Sequence, residues 1–392
     1  MSYLGLKPKV SSFASKMKII IIIPTYNEAE NIKKIIPAVL ESCAAFPRHE
    51  CHILVVDGNS PDGTGGCVRE ISAKNPYVHL LMEKEKSGLG GAYIFAFKYI
   101  LQEMRADVVI EMDADFQHDP KLLPKFIEKI EEGYDYVIGS RFVKGGSIPK
   151  GWSFNRRLLS AGGNIFSKVV LGIYGVSDFT SGFKASRVRN YLDRLDLDSV
   201  RSKGFAYKID LLYKMYKLGA KIAEVPIEFG LRDRGNSKME SNTLSDSLKV
   251  VLSIRINENK EFVKFLCVGM CGLFVDTLLF NIFRITFFDP ALSAVVSGFI
   301  AMMVTFTLNN IWSFGERKIG GFGKILGTFV IYGVSSLIPI IIRSQLVDLF
   351  VKALGNGFIP ANLGFGIGLV FGLGWNYVIY SRIIWRKSTN KE

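Results

Sequence analysis

The sequence predicts two classes of structure in one chain: an α/β domain built on a mostly parallel sheet, then an all-α transmembrane domain of four helices. Three observations predict it. Of the 85 Asp, Glu, Lys and Arg residues, 69 precede residue 262 and only 16 follow it. Before that point short apolar runs alternate with amphipathic stretches of helical length; after it come four long stretches almost without charge. With 48% hydrophobic residues the chain can bury a sizeable core, so a disordered or collagen-like polypeptide is excluded, and the charge asymmetry excludes a single soluble globule.

A polar, basic tail of residues 1–17 leads into Lys18 to Ile23, an apolar run that reads as a buried strand. Glu30 to Ser42 has helical periodicity, and His52 to Asp57 is the next strand. Thr64 to Lys74 then reads as helix, Val78 to Met82 as strand, Gly90 to Met104 as helix, Asp107 to Met112 as strand and Lys121 to Glu132 as helix; Tyr136 to Gly139 closes the series as a strand. Such alternation predicts right-handed βαβ units, whose ligands bind at the carboxyl ends of the strands. Those ends carry the most polar, turn-rich segments: Pro24 to Glu28, Asp57 to Thr64 and Asp113 to His118. Ser140 to Lys238 is basic and glycine-spaced, with no element read from it. The expected boundaries are 18–240 for the α/β domain, 241–261 for an interfacial amphipathic helix and linker, and 262–386 for the membrane domain.

Ala291 to Gly315 holds no charge over 25 residues, which as a helix reaches about 37 Å and exceeds a hydrocarbon core of about 30 Å. Ala353 to Ser381 and Ile325 to Ile342 are further spans, and Phe262 to Phe288 is a fourth, interrupted by Lys264, Asp276 and Arg284. Arg317, Lys318 and Lys324 follow the second span, and Arg382, Arg386, Lys387 and Lys391 follow the fourth. By the positive-inside rule the N-terminal domain and the C-terminus are expected in the cytoplasm of a multi-pass cell-membrane protein. The run Ile19 to Ile23 is too short for a signal peptide, which agrees. Asp276 is expected to face a neighbouring helix, and the glycines of the fourth span to mark close helix packing. The net charge of +13 is accounted for largely by these loops, and no basic stripe with interleaved aromatics points to nucleic acid. Cys43, Cys51, Cys67, Cys267 and Cys271 lack the spacing of a disulfide framework or a zinc site and read as small apolar filler.

Asp113-Ala114-Asp115 ends a strand, so two carboxylates meet where the chain leaves the sheet. Oxygen ligands of that kind suit Mg²⁺ or Mn²⁺ shared with substrate phosphates. His118 has no nucleophile partner, which argues against a nucleophilic hydrolase. Asp57 to Thr64 is either a helix-capping turn or a nucleotide contact, since Asp and Asn serve both.

Pro24-Thr25-Tyr26-Asn27-Glu28, Val55-Val56-Asp57 with Ser60-Pro61-Asp62-Gly63-Thr64, Asp113 to His118 and Gly139-Ser140-Arg141 occur in that order. Together they resemble family 2 glycosyltransferases of the dolichyl (polyprenyl) phosphate mannosyltransferase type. Phe262 to Gly269 and Asn309 to Phe314 resemble the GtrA-like four-span domain. The resemblance implies a GT-A, Rossmann-like fold and metal-dependent, inverting transfer of a hexose onto polyprenyl or dolichyl phosphate. GDP-mannose is the expected donor, UDP-glucose the alternative, and the lipid bilayer a partner. It implies that Pro24, Tyr26, Glu28, Asp57, Asp113, Arg232 and Lys238 bind the nucleotide, that Asp113, Asp115 and Gln117 hold the metal, and that Arg141, Arg156 and Ser160 hold the acceptor phosphate. Asp115, Arg141 and Arg156 are the expected catalytic residues. Gly58 departs from the acidic residue usual in the family, so Gly58→Asp is expected to sharpen base discrimination where the backbone there is not left-handed. A processive polysaccharide synthase would need a QxxRW-like helix, which is absent. A transporter with a regulatory nucleotide-binding domain is the alternative from another class.

Overall fold

Five consecutive isoleucines cannot alternate between core and water, and the structure, a computed structural model describing residues 15–149, 151–230, 243–286, 290–355 and 358–386, puts them at the middle of a sheet. Strand β1 (Lys18–Thr25) buries all five completely. Ile19, Ile21 and Ile23 join Ile53, Val55 and Ile110 in the core on one face, while Ile20 and Ile22 join Leu54, Val56 and Val109 on the other. A strand covered on both faces needs such an uninterrupted run.

Around β1 lie β2 (Glu50–Asp57), β3 (Val78–Met82), β4 (Val108–Glu111), β5 (Tyr136–Ser140), β6 (Lys184–Arg187) and β7 (Ile222–Pro226), in the order β3-β2-β1-β4-β6-β5-β7. Every pairing is parallel except those of β6, which runs antiparallel to β4 and β5. Helices α1 (Ala29–Cys43), α2 (Thr64–Ser72), α3 (Leu89–Tyr99) and α4 (Leu123–Glu131) follow the first four strands. The mostly parallel α/β architecture is therefore as expected.

The basic stretch after Ser140 is where structure adds most. It contains β6, β7, α5 (Phe154–Leu171) and α6 (Tyr207–Lys217). Strand β6 escapes a hydropathy reading because its four residues are Lys-Ala-Ser-Arg. Lys184 is nevertheless fully buried, its Nζ donating to the carbonyl of Lys208 at 3.0 Å. Helix α7 (Thr243–Glu258) falls where an interfacial helix is expected, yet Val250, Val251 and Ile254 on it are buried against Ile209, Leu212 and Tyr136. The chain also pairs Cys43 with Cys51 in a disulfide across the α1–β2 connection. This corrects the reading of those two as filler: an irregular sequence spacing does not forbid a Cα–Cα distance of 6.3 Å, which a disulfide can span.

Residues 256–392 form a second compact unit. It contains α8 (Lys260–Thr286), α9 (Pro290–Leu308), α10 (Phe322–Leu354) and α11 (Phe358–Ile379). Four stretches in it are long and apolar enough to cross a membrane: 260–283, 295–313, 322–339 and 366–384. Residues 343–352, left between the expected spans Ile325 to Ile342 and Ala353 to Ser381, are instead the end of α10. Charges do not break a helix, and Asp348 pairs with Lys352 one turn on at 2.6 Å. Asp276 on α8 accepts from the hydroxyl of Ser297 on α9 at 2.6 Å. A Cβ at Gly372 on α11 would lie 3.1 Å from Pro339 on α10, the close approach that small residues permit between membrane helices. Asn310 ties the end of the second span together: its Oδ1 accepts from the Ile319 amide at 2.8 Å and from Trp385 Nε1 at 2.9 Å.

Candidate active site

The carboxyl ends of β1, β2, β3 and β4 open into a cleft of about 1090 Å³ in the α/β unit. Pro24, Tyr26 and Glu28 line it from β1 and the start of α1, Gly58 from β2, Glu83 and Lys86 from β3, and Asp113 and Asp115 from β4. Its loops are knitted by short hydrogen bonds. The amides of Asn27, Glu28 and Ala29 donate, each at 3.0 Å, to Ser60 Oγ, Thr64 Oγ1 and Asp62 Oδ2.

This knitting resolves the two readings of the Asp57 turn. Asp57 is fully buried. Its Oδ1 accepts from Thr25 Oγ1 at 3.0 Å and Ser60 Oγ at 2.6 Å, and its Oδ2 accepts from the Ser60 amide at 2.9 Å. Asp57 thus organises the turn and does not line the cleft, contrary to its expected nucleotide contact. The reason is local: serine three residues on closes an Asx-type turn that consumes both carboxylate oxygens. The acid that does face the cleft is Glu83. Its amide donates to the Asp57 carbonyl at 2.9 Å, and its Oε1 accepts from Ser87 Oγ. Burial raises the Glu83 carboxyl above its ordinary pKa, the Ser87 bond opposes that, and the charge of Asp57 adds to it.

Asp113 and Asp115 stand at the far side of the same cleft. Phe116 after them holds a left-handed φ of 59°, uncommon for a bulky residue and the kind of strain that gathers at functional turns. The Asp115 Oδ1 accepts from the Gln117 amide at 3.1 Å. Gln117 itself sends Nε2 to the carbonyl of Gly230 at 3.2 Å and does not line the cleft, so its expected place beside the metal is not formed here. Two carboxylates remain; among the described residues no thiolate lines the cleft with them, and the nearest imidazole, His118, has its Nδ1 3.7 Å from Asp113 Oδ2. That donor set fits a hard divalent cation that shares substrate oxygens and keeps waters. His118 is buried beneath, its Nδ1 accepting from the Asp113 amide at 3.0 Å and its ring stacked on Phe183 at 5.1 Å.

Burial lowers the His118 pKa to about 4, against a partial opposing effect of Asp113. The folded protein therefore keeps the ring neutral from pH 6.5 down to about 4, while the unfolded chain takes up the proton over that interval. Stability from this group is complete above pH 6.5 and lost as pH falls toward 4, by about 3 kcal/mol in all. We expect thermal unfolding to show this acid-side loss and His118→Gln to flatten it. An unchanged pH dependence in that variant would refute the assignment.

A second cleft, of about 1470 Å³, adjoins the first and shares Phe205 and Thr243 with it. Arg141, Arg156 and Ser160, expected together at the acceptor phosphate, all line it, and Leu159, Leu244, Leu248 and Val251 make much of its wall. Arg156 lies with its guanidinium 4.0 Å over the Trp152 ring. Arg141 is committed to Asp178, which the sequence reading missed: Nε donates to Oδ2 and Nη2 to Oδ1, each at 2.7 Å. Burial alone would raise the Asp178 carboxyl, but the charge and hydrogen bonds of Arg141 hold it below its ordinary value. Lys208, also missed, is buried with its ammonium 4.3 Å over Phe205. Burial lowers its pKa, and Asp113 and Glu111 raise it. Arg232 and Lys238 lie outside the described residues.

The outer face of α5 carries exposed Phe154, Leu158, Ile165 and Val169. Their spacing of four, seven and four residues is a helical stripe that the sequence itself displays among the surrounding arginines.

Comparison with known proteins adds an independent line. Residues 20–192 match glycosyl transferase family 2, and residues 264–385 match the GtrA/DPMS transmembrane domain. The dolichol-phosphate mannosyltransferase of Pyrococcus furiosus is 33% identical over 372 residues, covering 94% of this chain and 99% of that protein. The polyprenol monophosphomannose synthase of Mycolicibacterium smegmatis is 39% identical over 230 residues, 58% of this chain and 83% of that one. The undecaprenyl-phosphate mannosyltransferase of Micrococcus luteus is 39% identical over 232 residues, 59% and 91% respectively.

Proposed function

The chain belongs to glycosyl transferase family 2, with a GtrA/DPMS transmembrane domain, and from that premise we propose that it transfers mannose from GDP-mannose onto polyprenyl or dolichyl phosphate, with inversion. The observation that carries this reading is the pair of adjoining clefts. One carries Glu28, Glu83 and Lys86 on its wall and ends at Asp113 and Asp115; the other has arginines at its head and leucines along its wall, as a phosphate on an isoprenoid chain requires. The relatives named for mannosyl transfer to polyprenyl lipids support the choice of sugar and acceptor.

A lipid phosphate is already an anion, so its oxygen attacks the anomeric carbon without a strong general base. A neutral, inward-facing His118 is compatible with that chemistry. The task of the side chains is to position two anions and offset their charge. Asp113 and Asp115 would hold Mg²⁺ or Mn²⁺, which when bound offsets charge on the leaving diphosphate. Arg156, and the edge of Arg141 not engaged by Asp178, would bind oxygens of the acceptor phosphate, with Ser160 beside them. Direct displacement on one face inverts the anomeric centre. The exposed apolar stripe of α5 would rest in the lipid interface, with the catalytic unit and the C-terminus cytoplasmic.

The test is incubation of the purified full chain with labelled GDP-mannose, a polyprenyl phosphate and Mn²⁺ or Mg²⁺, followed by organic extraction. Label in the lipid phase, lost in EDTA, is the expected result. Transfer from UDP-glucose with none from GDP-mannose would reassign the donor, and no transfer from either would overturn the reading.

A further inference from the structure

We propose that Glu83 is the carboxylate that reads the donor's nucleoside, its Oε2 accepting hydrogen bonds from the N–H edge of the base. The inference rests on the sugar-nucleotide reading above and assigns the end of that cleft which Asp57 does not serve.

Three observations carry it. First, Asp57 has both oxygens occupied by Thr25 and Ser60 and is fully buried. It has no edge to offer a base. Second, Glu83 is 9% exposed and lines the cleft. Ser87 holds Oε1, whereas Oε2 makes no hydrogen bond among the described residues. A carboxylate on a side chain so little exposed is poorly hydrated, and a ligand N–H that reaches it from the cleft is correspondingly favoured. Third, Glu83 stands where the acidic residue missing at position 58 would act. Its amide bond to the Asp57 carbonyl continues the β2–β3 ladder beyond the Asp57–Met82 pair, placing it beside Gly58. A Cβ built at Gly58 would lie 3.3 Å from Glu83 Oε2 and 3.4 Å from the Tyr26 ring. The acid comes from the neighbouring strand, and Gly58 leaves it room.

The distance across the sheet agrees with the chemistry. From β3, where Glu83 sits, to β4, where Asp113 sits, is three strand spacings in the order β3-β2-β1-β4, or about 14 Å. An extended nucleoside diphosphate spans such a gap, with its base at Glu83 and its diphosphate at Asp113 and Asp115. Lys86, 4.1 Å over the Tyr26 ring, walls the same end. A carboxylate there also favours guanine, whose N1–H and N2–H lie side by side, over a base with a single N–H.

This placement reverses the expectation for Gly58→Asp. The Gly58 backbone is not in the left-handed region, so a side chain there meets no backbone strain. It sets a third carboxylate against Glu83 and Asp57, and nucleotide binding should weaken.

The experiment is calorimetric titration of the full chain in detergent with GDP, IDP, 2′-deoxy-GDP and UDP, on the parent, Glu83→Gln and Glu83→Ala, with the unfolding midpoint of each as a folding control. The parent should bind GDP more tightly than IDP, which lacks the N2 amino group. Both variants should weaken GDP by about ten- to a hundredfold at an unchanged midpoint and lose the preference over IDP, and 2′-deoxy-GDP should be weakened in parallel with GDP. Parent-like GDP affinity in both variants overturns the proposal. So does a parent that binds 2′-deoxy-GDP as weakly as Glu83→Gln binds GDP, with no further loss on substitution, because the carboxylate would then hold the ribose. Tighter binding of UDP than GDP, lost in the variants, retains the role of Glu83 and overturns only the donor assigned above. A parent that binds no nucleotide overturns both.

Discussion

Asp115→Ala is expected to reduce sugar transfer by at least about a thousandfold, and Asp113→Ala to nearly the same extent. Each removes one of the two carboxylates at the end of β4 that line the cleft and are proposed to hold the metal, and charge stabilisation of that kind accounts for several kcal/mol of a transition state in which negative charge is developing. The two positions differ in what else is lost. Asp115 also accepts from the Gln117 amide, so its truncation loosens the turn that follows. The backbone of Asp113 is held from below by His118, so its side chain can be removed with less disturbance. Asp115→Asn separates charge from geometry: the amide oxygen retains the bond to Gln117, while the negative charge is gone. Initial rates of lipid-linked sugar formation should place the Asn variant with the Ala variant. An Asn variant within about tenfold of the parent would show that the charge at 115 is not what the reaction uses.

The second large effect is structural before it is catalytic. Arg141→Ala should lower the stability of the catalytic unit by about 3–5 kcal/mol, because Asp178, with no exposed surface, is left as an uncompensated buried charge. Arg141→Lys should not rescue it, since an ammonium cannot reproduce the two parallel bonds from Nε and Nη2. Arg156→Ala provides the contrast. Its guanidinium rests on Trp152 near the rim of the second cleft, and its loss should raise the acceptor KM or lower kcat with little change in unfolding midpoint or nucleotide affinity. The pair Arg141→Met with Asp178→Leu should recover most of the stability without recovering transfer. If Arg141→Ala unfolds at the parent's midpoint, the ion pair is not holding the fold. If the double variant transfers at the parent's rate, Arg141 has no part in binding the acceptor.

By itself the sequence determined the two materials of the chain and the alternation that builds the sheet. Both follow from short-range patterns: Ile19 to Ile23 is a strand buried on two faces wherever it folds, and the charge-poor stretches after residue 262 are long helices in any context. It also determined the order of the loops at the carboxyl edge, and hence that Tyr26, Glu28, Asp113 and Asp115 would meet, because parallel βαβ units bring successive strand ends to one edge. Tertiary structure alone decided which acids in those loops are available. Asp57 and Glu83 are indistinguishable as carboxylates at strand ends; Ser60 three residues after one and Ser87 four residues after the other leave the first saturated and the second with an oxygen to spare. It alone decided that Arg141 is half consumed by Asp178, a partner 37 residues away, and that Lys184 of a polar four-residue segment belongs inside the sheet. The physical reason is the same in each case. Periodicity and propensity are local and survive in one dimension, whereas desolvation and hydrogen-bond satisfaction depend on every group that arrives in space, and no spacing along the chain records them.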